Sequence, residues 1–154
     1  MADEVFHADP EHSGVIGQML HDFNAEFGAP GPGAEEFAHR FSHLLTRDDV
    51  IVLLSGRVDR PTGLAFLTLR PSPYFDGPLA QLEELYVVPE LRDHGIGTAL
   101  LRAAVATVRE RNAGELHINV DEVDVDTRRF YERHGFTNIE PGQDHRMLFY
   151  IREL

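Results

Sequence analysis

Leu82-Glu83-Glu84-Leu85-Tyr86-Val87-Val88-Pro89-Glu90-Leu91-Arg92-Asp93-His94-Gly95-Ile96-Gly97-Thr98-Ala99-Leu100-Leu101 is the stretch on which the fold turns. Leu82 to Val88 is rich in apolar, β-branched and aromatic residues and reads as a strand that Pro89 stops. From Ile96 the apolar residues Ile96, Ala99, Leu100, Ala103, Ala104 and Val108 fall at helical spacing. Gly95 and Gly97 therefore sit where a loop turns into a helix. A helix N-terminus offers unpaired N–H groups and a partial positive charge. Glycines allow close approach to those groups, and Arg92 adds a cation, so the segment suits a pyrophosphate. A P-loop is excluded, because no Lys follows Gly97. A dinucleotide fingerprint would need Gly or Ala where Leu100 stands. Taken alone, the two glycines also fit a plain turn into a buried helix.

Outward from this stretch the chain reads as alternating elements. Val5 to Ala8 is a short strand, and Val15, Ile16, Met19, Leu20, Phe23 and Phe27 mark a helix from Pro10 to Phe27. Gly28 to Gly33 is a Gly/Pro loop, and Phe37, Phe41, Leu44 and Leu45 mark a second helix. Val50 to Ser55 and Gly63 to Leu69 are apolar runs joined by a hairpin turn. The helix after the glycines runs to about Asn112 and is expected to be capped by Gly114. Leu116 to Val120 is a strand, so strand, helix and strand form a crossover with parallel strands. The acids Asp121 to Asp126 lack the Gly and terminal Glu of a calcium loop and read as caps of the next helix. His145 to Ile151 alternates Met147, Phe149 and Ile151 against Arg146, Leu148 and Tyr150, the pattern of a final strand.

The 154 residues suffice for one domain, 1–154, and no linker divides them. With 26 acidic and 14 basic residues the net charge is −12, which argues against a nucleic-acid partner and either favours a cationic substrate by steering or serves solubility alone. No Cys is present, so disulfides, thiolate metal sites and thiol nucleophiles are excluded. No apolar run is long enough to span a membrane, and the N-terminus lacks a signal-peptide pattern. A cytoplasmic protein without membrane partners is expected. His39 and His43 could share a helix face, but Arg40 stands where a zinc protease needs Glu, so they read as surface residues and no metal is expected.

Arg92-Asp93-His94-Gly95-Ile96-Gly97 after Val87-Val88-Pro89, followed later by Phe130-Tyr131-Glu132-Arg133-His134-Gly135-Phe136, resembles the two signatures of the GNAT superfamily of N-acetyltransferases, in the same order. The resemblance covers Val50 to the C-terminus. It implies an α/β (α+β) fold with a mixed, mostly antiparallel twisted sheet of six to seven strands. A splayed central parallel pair and about four helices complete it. It also implies acetyl-CoA as acetyl donor. Leu85, Tyr86 and Val87 would present backbone groups to the pantetheine arm and thioester. Arg92, Asp93, His94, Gly95, Ile96, Gly97 and Thr98 would hold the pyrophosphate. Two positions depart from the pattern: Asp124 replaces an Asn seven residues before the Tyr, and Thr127 replaces an Ala four before it. Asp124 would be a further cofactor contact, although an ionised Asp accepts and cannot donate.

The chemistry follows from the acceptor. Most amines are protonated at neutral pH, so attack on a thioester needs a base. Glu83 and Glu84 interrupt an apolar strand; alternation sends one inward, and a bulge would bring both to the cleft. The resemblance implies a base and an amine clamp there, with Glu83 taken as base and Glu84 as clamp, and little to separate them. Tyr131 matches the family's general acid by position, although it also fits a core aromatic beside Phe130. The implied activity is N-acetyl transfer to a small cationic amine such as a diamine, polyamine or aminoglycoside, by a monomer or a homodimer. A protein N-terminal or lysine acetyltransferase and a non-catalytic acyl-CoA-binding module are the alternatives. If the acidic pair is not the acceptor site, the first helix offers Glu26 as base.

Overall fold

Apolar runs that do not alternate become strands covered on both faces, and the centre of this chain is built that way. In the computed structural model, which describes residues 4–154, β2 (Val50–Arg57) and β3 (Arg60–Arg70) form an antiparallel hairpin. Two compact units are present, Met1–His117 and Ile118–Leu154.

In the first unit β1 (Val5–His7) pairs with β2, and β4 (Leu79–Val87) pairs with β3, all antiparallel. The short β5 (Leu116–Ile118) follows β4, giving one five-stranded sheet in the order β1-β2-β3-β4-β5. The β4–β5 pair is parallel because α3 (Ile96–Glu110) makes the crossover between them. Ala80 donates to the Glu115 carbonyl at 2.9 Å where β5 is entered.

Helices α1 (Ser13–Glu26) and α2 (Ala34–Leu44) pack on each other and on one face of the sheet. Ile16, Met19, Leu20 and Phe41 meet Val52, Leu54, Leu64 and Tyr86 there. The alternate residues Ile51, Leu53, Ala65 and Leu67 are buried on the opposite face, where α3 brings Leu100, Leu101, Ala104 and Val108. His39 and His43 lie on the exposed side of α2, ring centroids 4.9 Å apart.

The end of α3 differs from the expected cap. Asn112 (φ +59°), not Gly114, takes the left-handed conformation after the helix. Gly114 is glycine because a Cβ there would come within 2.2 Å of the Phe75 ring.

The second unit contains α4 (Val125–Arg133), capped by Asp124 and followed by Gly135 at φ +91°. The acids before it thus act as the expected cap. The expected strand at 145–151 is not formed, and the sheet has five strands rather than six or seven. Alternation supplies a strand with a face but not with a partner. The backbone of this segment makes one bond to its surroundings in the unit, Met147 N to the Asn138 carbonyl at 2.6 Å. Leu148, Phe149, Tyr150 and Ile151 are all exposed.

Candidate active site

Strand β4 does not keep simple alternation. Phe66 of β3 faces Glu84, and Leu67, its neighbour, faces Leu82, so Glu83 is an extra residue: a β-bulge. Tyr86 lies on the α1/α2 face, and Glu84, two residues before it, shares that face. The bulge brings Glu83 to the same side, where its carboxylate accepts a 2.6 Å hydrogen bond from Thr68 Oγ1. Two adjacent carboxylates therefore share one face, which a regular strand forbids. Their environments differ. Glu83 is exposed, whereas Glu84 is half-buried, and its pKa is raised to about 6 by burial first and by the Glu83 charge second. A carboxylate with that pKa accepts a proton more readily than an exposed one and is still ionised at neutral pH.

Beyond Glu84, Leu85 pairs with Ala65, Tyr86 with Leu64 and Val87 with Gly63. β5 is three residues long and joins β4 at its Ala80 end, so Leu85 to Val87 extend past it. A single 3₁₀ turn (Pro89–Leu91) then leads to Arg92. Asp93 (φ +65°) and Gly95 (φ +85°) bend the chain into α3. At Gly95 a Cβ would meet nothing within 4 Å, so the position needs glycine for its backbone angle and leaves open space beside it. Ile96 is buried and anchors the loop; Gly97 and Thr98 form the first turn of α3. Ala99 donates to the Gly95 carbonyl at 3.0 Å, closing the first helical ring. Ile96 and Gly97 stand at the N-terminus of that helix, the end whose backbone amides favour an anion. His94 Nδ1 lies 2.7 Å from the Arg92 carbonyl and 3.2 Å from that of Leu91. Both partners only accept, so Nδ1 carries the proton.

Arg92 is tied to both neighbouring elements. Its guanidinium makes a bidentate pair with Glu26 at the end of α1, at 2.5 and 2.8 Å, and its Nε donates to the Val87 carbonyl at 3.0 Å. It also lies 5.7 Å from the Tyr86 ring centroid. The Arg92 hydrogen bond holds the Glu26 carboxyl below its ordinary range, and Glu26 in turn raises Arg92. Arg92 thus ties α1 to the loop that opens α3.

In the second unit, the Asp124 side chain accepts from Thr127 N at 3.4 Å, a contact that an Asn would also make. Tyr131 is buried in α4, its ring 5.5 Å from Phe136 and 5.2 Å from Phe130. Sequence reasoning missed Thr68 as a partner of Glu83 and the Glu26–Arg92 pair. Asp22 and Glu26, one helical turn apart with no Arg or Lys on α1, were the available signal for the latter. Among the described residues, no group of three or more His, Asp or Glu side chains could hold a metal ion, and no helix is long and apolar enough to cross a membrane.

Comparison with known proteins gives a consistent answer. Residues 16–136 match the model of the acetyltransferase (GNAT) family. The aminoglycoside N(6')-acetyltransferase type 1 of Klebsiella aerogenes is 30% identical over 108 residues, 60% of this chain and 71% of that protein. The mycothiol acetyltransferase of Thermobispora bispora is 39% identical over 62 residues, 40% of this chain; the match spans only 21% of that longer protein. Among solved structures, an assigned acetyltransferase from Arthrobacter sp. FB24 is 52% identical with a TM-score of 0.92, covering 99% of this chain and 97% of its own. A soil-metagenome aminoglycoside acetyltransferase solved with sisomicin has a TM-score of 0.79 at 19% identity, covering 98% of this chain and 95% of its own; at that identity the likeness is one of fold.

Proposed function

The chain belongs to the GNAT acetyltransferase family, and on that premise we propose that it moves the acetyl group of acetyl-CoA to a primary amine of a small cationic molecule. The observation that carries the acceptor side is the β4 bulge, which puts Glu83 and Glu84 on one face with Glu84 half-buried. The donor side is supported by the open space at Gly95 and the N-terminus of α3. Leu85, Tyr86 and Val87 would hold the pantetheine arm by backbone groups. Arg92 to Thr98 would frame the pyrophosphate, with Asp124 at the start of α4 as a further contact. Acetyl-CoA supplies a thioester, an activated acyl group with a good leaving group.

The residues then have separate tasks. Glu84 takes a proton from the acceptor ammonium, directly or through water, and so frees the lone pair that attacks. Burial favours Glu84 over Glu83 for this role, the reverse of the order that sequence alone suggested. Glu83, exposed and oriented by Thr68, holds the cationic amine by charge. Backbone N–H groups at the bulge stabilise charge developing on the carbonyl oxygen. The C–N bond forms as the C–S bond breaks; Tyr131 gives its proton to the departing sulfur, and the proton that the acylated nitrogen sheds passes through water to restore the tyrosine hydroxyl. A cytoplasmic location and a homodimer belong to the same reading; the exposed apolar run at 147–151 is surface that a second copy would cover. Thiol release with a panel of amines and peptides tests the function. Turnover with small amines supports it, whereas turnover with peptides alone would assign a protein acetyltransferase.

A further inference from the structure

Helix energetics do not account for Glu26. It is the last residue of α1, at the negative end of the helix dipole, where a carboxylate is disfavoured, and no basic residue shares that turn. What compensates it is Arg92, 66 residues away, through the bidentate pair at 2.5 and 2.8 Å. The side chains are 29% exposed at Glu26 and 37% at Arg92, so the pair is screened less than one on the open surface.

The other side of Arg92 meets the end of β4. The Val88 N–H donates to the Thr62 carbonyl of β3 at 2.9 Å. The Val87–Val88 peptide is trans, so the Val87 carbonyl points the opposite way, to the edge of β4 that β5 does not reach. Arg92 Nε occupies that edge and donates to the carbonyl at 3.0 Å. The guanidinium also lies 5.7 Å from the Tyr86 ring centroid, and that ring stacks on Phe23 of α1 at 4.9 Å. Directly after Arg92 the chain turns left-handed at Asp93 (φ +65°), a conformation that a residue with a Cβ keeps where its surroundings hold it. Glu26 therefore acts at one remove: it orients the guanidinium that holds both the end of β4 and the entry to the loop.

We propose that Glu26 is a positioning residue for the acetyl-CoA site, bracing Arg92 so that the Val87 peptide and the loop that opens α3 keep the geometry that receives the cofactor. The inference rests on the acetyl-CoA reading of that strand and loop, and it gives Glu26 a role other than that of a base. The test is a double-mutant cycle on acetyl-CoA affinity, measured by calorimetry without any amine, for wild type, Glu26→Gln, Arg92→Lys and the double variant, each shown to be folded by circular dichroism. Lys keeps the charge but loses the bidentate geometry and the Nε donor. Each single substitution should weaken binding at least about fivefold, and the double variant should stay within about twofold of the weaker single, because both break one linkage. With an accepted amine and acetyl-CoA both saturating, kcat of Glu26→Gln should stay within about twofold of wild type; a larger loss would place Glu26 in the chemistry and overturn the proposal. Losses that multiply in the double variant, tighter binding, or a lower melting temperature with unchanged affinity would also overturn it. If Glu26→Gln does not fold, the cycle is run with Glu26→Asp, whose shorter side chain should cost at least about twofold beside Arg92 and nothing beside Arg92→Lys; no cost beside Arg92 overturns the proposal. A wild type that does not bind acetyl-CoA refutes the donor reading and this inference with it, whereas equal binding by wild type and Glu26→Gln overturns the inference alone.

Discussion

Replacing Glu84 by Gln should stabilise the folded protein at alkaline pH and do nothing at acid pH. Burial and the neighbouring Glu83 raise the Glu84 pKa from 4.5 to about 6. A shift of that size corresponds to about 2 kcal/mol, and partial solvent access reduces it to about 1 kcal/mol. The sign follows from linkage. The native state binds this proton more tightly than the unfolded chain, so between about pH 4.5 and 6 stability falls as pH rises. Above that window the full penalty of an ionised, half-buried carboxylate persists. Below it the group is protonated in both states and costs nothing. Gln keeps the shape and removes the charge, so the gain appears only above the window. Urea unfolding of wild type and variant at pH 4 and pH 8 measures it, with equal m values required for the comparison. An advantage of about 1 kcal/mol at pH 8 that vanishes at pH 4 is expected. Equal stability at pH 8 would mean that the Glu84 carboxylate is not desolvated on the bulged face, and the argument for it as base would fall with that.

Other expectations bear on the remaining parts. Gly97→Val should weaken acetyl-CoA binding at least tenfold, about 1.4 kcal/mol, by blocking approach to the start of α3; unchanged affinity by calorimetry in a folded variant would remove the loop from the site. Tyr131→Phe should lower kcat by about a hundredfold or more with near-normal cofactor affinity, and an unchanged kcat with chemistry rate-limiting would leave Tyr131 as a core aromatic. Sedimentation equilibrium should return twice the 17.4 kDa chain mass, and a polar substitution at Phe149 should shift it toward the monomer; a wild-type monomer at all concentrations would refute the homodimer.

Much of the fold was legible because periodicity records which faces are covered. The α1, α2 and α3 patterns end within a few residues of the observed helices, and the two unbroken apolar runs became the doubly covered β2 and β3. What escaped depends on residues far apart in sequence. The bulge is a property of the β3–β4 register, so Glu83 and Glu84 alone could suggest it but not fix it. The Glu26–Arg92 pair was not legible locally, because its members lie 66 residues apart. The alternation at 145–151 was real, but a strand also needs an edge to join, and no local pattern reports one. At the end of α3, Gly114 drew attention as a cap, whereas packing against Phe75 is what requires it and Asn112 turns the chain.

In the proposed reaction this chain transfers acetyl from acetyl-CoA to an amine with Glu84 as the base. The most direct measurement is the rate of thiol release across pH 5 to 9, with the best amine of a panel, for wild type and Glu84→Gln. Amine-dependent release is expected, with a kcat that rises with an apparent pKa near the value of about 6 given by the environment of Glu84. In the variant, kcat should fall by about a hundredfold and recover in part at high pH, where more of the amine is already neutral. Release no faster with any amine than without one, or a Glu84→Gln profile superimposable on that of the wild type, would contradict it.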